Sequence, residues 1–318
     1  MIWLAWRQHR TQILVTTALL AAFGGLLLVN AQSVSGLLDG RPPGPDGGQE
    51  WRDFGLMIQD HARPVTNVLL FVEIVPALIG MFWGAPVLAG EFDRGTHCLA
   101  WTQTVPRLRW LATKLGLLAI VVTLSGLAVG LMTSAWLDVH GGTRVGNRFE
   151  VGGPFTASGV VPAAWWLFAF VLGVAVGVYV RKLVAAMVVT LVLFLVVLAG
   201  LAGAGRNFYA PPTVADFSVT PHAATADDRH EGPGLGAALT GPGGTEVSDE
   251  EFDEARVVLC TDAGVESTKC LKEAGYNVVQ YMQPADRYWR FQWTETAVLF
   301  ALAAALGVFV LRRIVRLK

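Results

Sequence analysis

GAPVLAGEFDRGTHCLAWTQTVPRLRWLATKL, residues Gly84 to Leu115, is a polar interruption between two long apolar runs. It holds an acid at Glu91, a Gly95-Thr96 pair, an apolar face of Leu99, Ala100 and Trp101, and a basic exit through Arg107, Arg109 and Lys114. Gly95-Thr96 suits a helix break or cap. A chain that only sits in lipid has no need of such a segment, whereas one that receives force from a soluble partner does.

The runs on either side are part of a wider pattern. The chain has 318 residues, of which 53% are hydrophobic and 15% charged, and its mean hydropathy is +0.48. Soluble domains carry roughly 25% charge, so the composition is that of an integral membrane protein. Six apolar runs approach or exceed the roughly 20 residues that cross a bilayer as helix: 12–31, 65–89, 115–137, 160–180, 183–203 and 293–311. Helix follows because lipid offers the backbone no other hydrogen-bond partner. The expected fold class is an all-α polytopic membrane protein with six transmembrane helices. The first run has the basic start of a signal peptide, but its apolar core exceeds the roughly 7–15 residues typical of one.

An even number of spans puts both termini on one side. That side carries Arg7, Arg10, Arg94, Arg107, Arg109, Lys114, Arg181, Lys182, Arg312, Arg313, Arg316 and Lys318 in short segments, against Glu91 and Asp93. Lys and Arg density in short loops sets orientation, so both termini are expected in the cytoplasm of a multi-pass plasma-membrane protein. Cys260 and Cys270 then lie outside, where a disulfide between them is plausible, and Cys98 lies inside.

Residues 1–11 read as an interfacial amphipathic helix or as the first turns of the first span, with Trp3, Trp6, Arg7 and Arg10 at helical spacing suited to lipid headgroups. Residues 12–203 hold spans 1–5. Only Arg181-Lys182 separates the fourth and fifth spans, which implies a tight hairpin. Residues 204–291 are expected to form a small extracytoplasmic subdomain, acidic and Gly/Pro-rich to Gly244, then one or two helices with a short extended piece. Ser248 with Glu251 makes a capping-box pattern there. Residues 292–318 give the sixth span and a basic tail.

Two carboxylates stand in apolar runs. Glu73 in the second is costly in hydrocarbon, and it reads either as part of a substrate path or as a carboxyl bonded to a neighbouring span or wetted at the interface. Glu295, near the outer end of the sixth, reads as an interface residue or as part of a substrate path. Gly80/Gly84, Gly126/Gly130 and Gly173/Gly177 are small-residue pairs of the kind that let helices approach closely, and Pro76 can kink the second span.

With these residues in hand, GEFDRGTHCLAWTQTVPRLRWLATKL and the opening MIWLAWRQHR resemble type-2 ABC exporter permeases, in particular an actinobacterial branch. The resemblance covers most of the membrane part and none of 204–291. It implies a six-span permease fold with a coupling helix at about 91–109. Glu91, Gly95, Thr96, Trp101, Thr102, Gln103, Arg107 and Arg109 would then dock on a separate ATPase subunit. It further implies two ATPase copies that carry the ATP and Mg, a second permease subunit forming a homodimer, and export of an amphipathic drug, lipid or peptide. The chain has no G-x-x-x-x-G-K-[ST] loop of its own, so it is not expected to be an enzyme or to hold a cofactor. No H-E-x-x-H or G-x-S-x-G motif appears, and nothing resembles a nucleic-acid module. The alternative is a membrane-anchored sensor or binding protein that works through residues 204–291.

Overall fold

The fold was analysed as a computed structural model, which describes residues 2–40, 49–93, 107–141, 144–146, 148–149, 153–211, 213–217, 234–260 and 267–316. Helix α1 runs Ile2–Leu38, α2 Gln49–Val72, α3 Val75–Ile79, α4 Ala85–Asp93 and α5 Arg107–Val139. After a short helix α6 (Pro154–Ala157) come α7 (Val161–Val180) and α8 (Leu183–Gly203). Strands β1 (Thr213–Phe217), β2 (Gly234–Thr240) and β3 (Glu246–Val247) precede helices α9 (Asp249–Cys260) and α10 (Ser267–Glu273). Strand β4 (Asn277–Met282) leads to the last helix, α11 (Tyr288–Arg316).

Among the described residues, five stretches are each long and apolar enough to cross a membrane: Arg10–Leu38, Ala112–Val139, Val161–Val180, Leu183–Gly203 and Tyr288–Arg316. The sixth is bent. Gln49–Val72 and Val75–Gly90 meet at 43°, within the run 65–89 that Pro76 was expected to kink. Pro76 explains the break. It has no N–H to give, and its ring would strike the carbonyl four residues back. The chain turns at Glu73-Ile74 and restarts with Pro76 in the first turn of α3. A π-helical turn, Gly80–Gly84, then joins α3 to α4, with the Ala85 N–H reaching back to the Gly80 carbonyl.

Helix α1 is continuous from Ile2 to Leu38. The separate interfacial helix expected over residues 1–11 gives way to the other reading, the first turns of one long helix, because no proline or glycine interrupts the chain before Gly24.

The centre of the bundle is α7. Some 78% of its span is buried inside the protein, against 11–33% for the other four unbroken spans. Glycine explains how neighbours come so near. A methyl group on Gly173 would lie 2.1 Å from the Gly80 carbonyl oxygen, and one on Gly84 would lie 2.4 Å from the Phe170 oxygen. On the α5 side, a methyl on Gly130 would lie 2.1 Å from the Gly159 oxygen and one on Gly126 2.7 Å from the Pro162 oxygen. The small-residue pairs of the sequence are thus places where backbones touch.

Three apolar clusters hold the bundle together, and Ile79, Leu88, Leu118, Phe170 and Val310 join α3, α4, α5, α7 and α11 in the first. Leu27, Val34, Ile58, Leu69, Trp136 and Leu137 join α1, α2 and α5 in a second. Ala77, Ala85, Ala89, Ala169, Phe194 and Leu299 join α3, α4, α7, α8 and α11 in the third. The turn between α7 and α8 is Arg181-Lys182, with Arg181 left-handed (φ 59°) and its N–H on the Gly177 carbonyl. We call the end of the bundle that holds this turn and the chain termini the terminus end, and the opposite one the sheet end.

Beyond the sheet end, the strands form one antiparallel sheet in the order β1-β4-β2-β3. The sequence suggested only a short extended piece here. The Gly-rich stretch around GLGAALT forms β2 because β4, NVVQYM, lends it a β-prone partner. Both expected helices are present. The Ser248 hydroxyl accepts the Glu251 N–H at 3.2 Å at the start of α9. Cys260 and Cys270 are bonded, with their Cα atoms 5.9 Å apart, and tie α9 to α10.

Candidate functional site

A buried polar layer lies at the sheet end of the bundle, and it starts from α11. Tyr288, Gln292 and Glu295 recur at i, i+4 and i+7, which places them on one helical face. Gln292 and Glu295 are fully buried. Facing them is the hairpin 153–161, which carries α6 into the start of α7.

Gln292 makes four hydrogen bonds to that hairpin. Its Oε1 accepts the N–H groups of Val160 and Val161, both at 3.0 Å. Its Nε2 donates to the carbonyls of Phe155 at 3.1 Å and Ser158 at 3.2 Å. One amide thus serves the open N–H groups that start α7 and two carbonyls of the hairpin, groups that lipid could not hydrate. Tyr288 adds a hydroxyl contact to Ser158 at 2.8 Å.

Glu295 holds a buried charge pair in this layer. Arg206, just past α8, donates Nε to Oε2 at 2.9 Å and Nη2 to Oε1 at 3.1 Å. Trp165 donates Nε1 to Oε1 at 2.8 Å. The Arg206 side chain is 11% exposed and lies 4.5 Å over the Phe155 ring. A forked guanidinium matched to a carboxylate is the geometry that offsets the cost of burying both charges.

The network continues to the second span. Arg206 Nη2 also donates to Thr156 Oγ1 at 3.3 Å. Thr156 donates its hydroxyl to Glu73 Oε1 at 2.6 Å, and the Gly153 N–H reaches the same oxygen at 2.8 Å. Glu73 sits at the Glu73-Ile74 break and holds both the backbone just before α6 and the Thr156 hydroxyl within it. Tyr209 closes the aromatic side of the layer, 5.4 Å from the Phe291 ring. Its phenol is pushed up to about 12, by burial first and by Glu295 second, with Arg206 pulling the other way.

A smaller polar chain ties the α1, α2 and α5 cluster. Trp136 Nε1 donates to Asn30 Oδ1 at 2.9 Å, and Asn30 Nδ2 donates to the His61 carbonyl at 2.7 Å. His140 is fully buried and bonds the Trp136 carbonyl through Nδ1 at 2.9 Å. A carbonyl only accepts, so Nδ1 carries the proton. Burial, the larger effect, holds His140 below its ordinary value, and this hydrogen bond acts against it.

The sequence-read candidates fall into three groups. Glu73 and Glu295 belong to one network joined through Thr156 and Arg206. Both Glu295 oxygens are engaged, by Arg206 and Trp165. Cys260 and Cys270 lie in the sheet-bearing part. Glu91 lies in α4, and Arg107 and Arg109 lie in the first turn of α5; for these three the structure describes only the backbone. Gly95, Thr96, Trp101, Thr102 and Gln103 lie outside the described residues. Arg206, Thr156, Gln292 and Tyr288 escaped the sequence reading. The i, i+4, i+7 polar spacing in the sixth span was the available signal for two of them. Among the described residues, no three His, Cys, Asp or Glu side chains gather to hold a metal ion.

Comparison with known families gives one match. The family described as ABC-2 membrane transporter related covers residues 13–206, about three fifths of the chain. No curated protein and no solved structure matches.

Proposed function

The chain belongs to the ABC-2 membrane transporter related family, and from that premise we propose that it is the permease half of an ATP-driven exporter whose ATPase is a separate chain. Multiple apolar helices and the family make it a multi-pass membrane transporter subunit, and the family as a whole associates with ABC ATPases. The finer reading is ours. Two ATPase subunits and two copies of this chain assemble, and the complex exports an amphipathic drug, lipid or peptide.

One observation carries the reading. Helix α4 stops at Asp93 and α5 starts at Arg107, both at the terminus end, and the polar segment 94–106 that joins them lies outside the described residues. Leu88 and Leu118, near those helix ends, share one apolar cluster with Ile13 and Ile314, which ties the segment's roots to the helices at both chain ends. Arg10, Arg181, Lys182, Arg312, Arg313 and Arg316 collect at the same end, which supports a cytoplasmic location. Glu91, Gly95, Thr96, Trp101, Thr102, Gln103, Arg107 and Arg109 form the docking surface in this reading. Push and pull from ATP-driven closure enter there.

Bulky replacements at Gly95 and Thr96 test this. The spans keep their helicity and melting behaviour, while ATP hydrolysis by the partner no longer drives transport. Normal coupled transport in the double variant defeats the assignment. The sensor reading draws on the folded, disulfide-tied sheet, and it gains if the chain purifies alone and neither binds nor stimulates any ATPase.

A further inference from the structure

We propose that Glu73 is a releasable latch that fixes the angle between α2 and the rest of the membrane domain. It sits at the joint between α2 and α3. Helix α2 packs with α1 and α5, whereas α3 and α4 pack with α5, α7 and α8. Only Glu73-Ile74 connects α2 to α3, and the two directions differ by 43°. Two residues outside regular helix, with Pro76 two residues further on, make a hinge.

The latch differs from its surroundings in how it can open. Hairpin 153–161 is held to α11 by four hydrogen bonds of the fully buried Gln292, to α5 by the Gly159 N–H on Ser134 Oγ at 2.9 Å, and to the second span by two of Glu73. Glu295 is fully buried, so parting it from Arg206 would strand a charge. Glu73 is half-buried, so a replacement donor can reach its carboxylate when Gly153 and Thr156 leave. A displacement of about 1 Å suffices, because hydrogen bonds of this kind are lost by about 3.6 Å. Under strain, the Glu73 contact is therefore the one that parts, and α2 swings while the hairpin stays with α5 and α11.

The predicted motion is large enough to measure. Leu56 on α2 is 60% exposed and Trp293 on α11 is 59% exposed. At 1.5 Å per residue, Leu56 lies about 25 Å from Glu73, so a change of bend of about 10° moves it about 4 Å.

Spin labels at Leu56→Cys and Trp293→Cys, in a Cys98→Ser background of the full chain in lipid nanodiscs, read that distance by pulsed electron resonance. The wild-type carboxylate should give one narrow distribution. Glu73→Ala should broaden it or add a population displaced by several ångströms, and Glu73→Gln, which keeps an acceptor oxygen, should restore it. Thr156→Val removes one of the two donors and should shift it the same way by less, which covers a Glu73→Ala chain that fails to fold. Unchanged distributions in Glu73→Ala and Thr156→Val overturn the latch.

Its use in transport rests on the permease reading. With the ATPase bound, ATP and Mg should move the wild-type distribution toward that of Glu73→Ala; no movement removes the latch from the cycle. A chain that binds no ATPase defeats the permease reading and leaves the latch distances standing.

Discussion

Arg206 and Glu295 show what a single side chain holds together. Removing one member of a buried ion pair costs about 3–5 kcal/mol, because the other charge stays behind. Arg206→Ala should therefore lower the melting temperature of the purified chain strongly. Arg206→Met with Glu295→Gln should recover part of the loss, since the neutral amide leaves no charge behind and keeps an oxygen for the Trp165 indole N–H. A double variant as unstable as the single one would mean that the pair is not an isolated unit. The sequence displayed Glu295 as a charge in an apolar run. It hid Arg206, which stands after the fifth span in a stretch rich in glycine, where nothing marks it as turning back to the bundle. His140 gives a second test at this scale. Its folded value lies below the ordinary 6.5, so neutral His140 stabilises the fold above pH 6.5 and that contribution is lost as pH falls below it. The melting temperature should drop more steeply below pH 6.5 in the wild type than in His140→Asn. Parallel slopes would remove His140 from the acid response.

Elements were legible where periodicity or small-residue spacing controls them. The Gly80/Gly84 and Gly173/Gly177 spacing pointed to close helix approach, and the backbone contacts are there. Gly173→Ala should destabilise by about 1–3 kcal/mol, because the added methyl meets the Gly80 carbonyl and overpacking has nowhere to relax. Gly200→Ala, with nothing within 4 Å, should be neutral or slightly stabilising. Equal effects in a denaturation series would contradict the packing. The break of the second span was less legible. Pro76 gave the kink, but the π turn at Gly80–Gly84 depends on how α4 seats against α7, and no local signal encodes that. The strand β2 was illegible for a related reason: GLGAALT has weak strand propensity, and its partner β4 lies 36 residues further on, Gly234 pairing with Met282 and Thr240 with Asn277.

At the scale of the molecule, the fold divides into a membrane bundle organised around α7, a polar layer at its sheet end, and a four-stranded sheet beyond. The Cys260–Cys270 bond closes a short loop, worth about 2–3 kcal/mol by loop entropy. Reduction should loosen α9 and α10, seen as faster amide exchange there, without loss of span helicity. An exchange pattern unchanged by reduction would show that the sheet alone holds them. The polar segment that opened the sequence reading remains the point where force would enter, and the family supplies the partner class. The most direct test is capture of the tagged full-length chain from its native membranes, comparing wild type with Gly95→Trp/Thr96→Trp. The account predicts that a Walker-motif ATPase accompanies the wild type in near-equal amount and is lost from the variant; an ATPase absent from both, or retained equally by both, would contradict it.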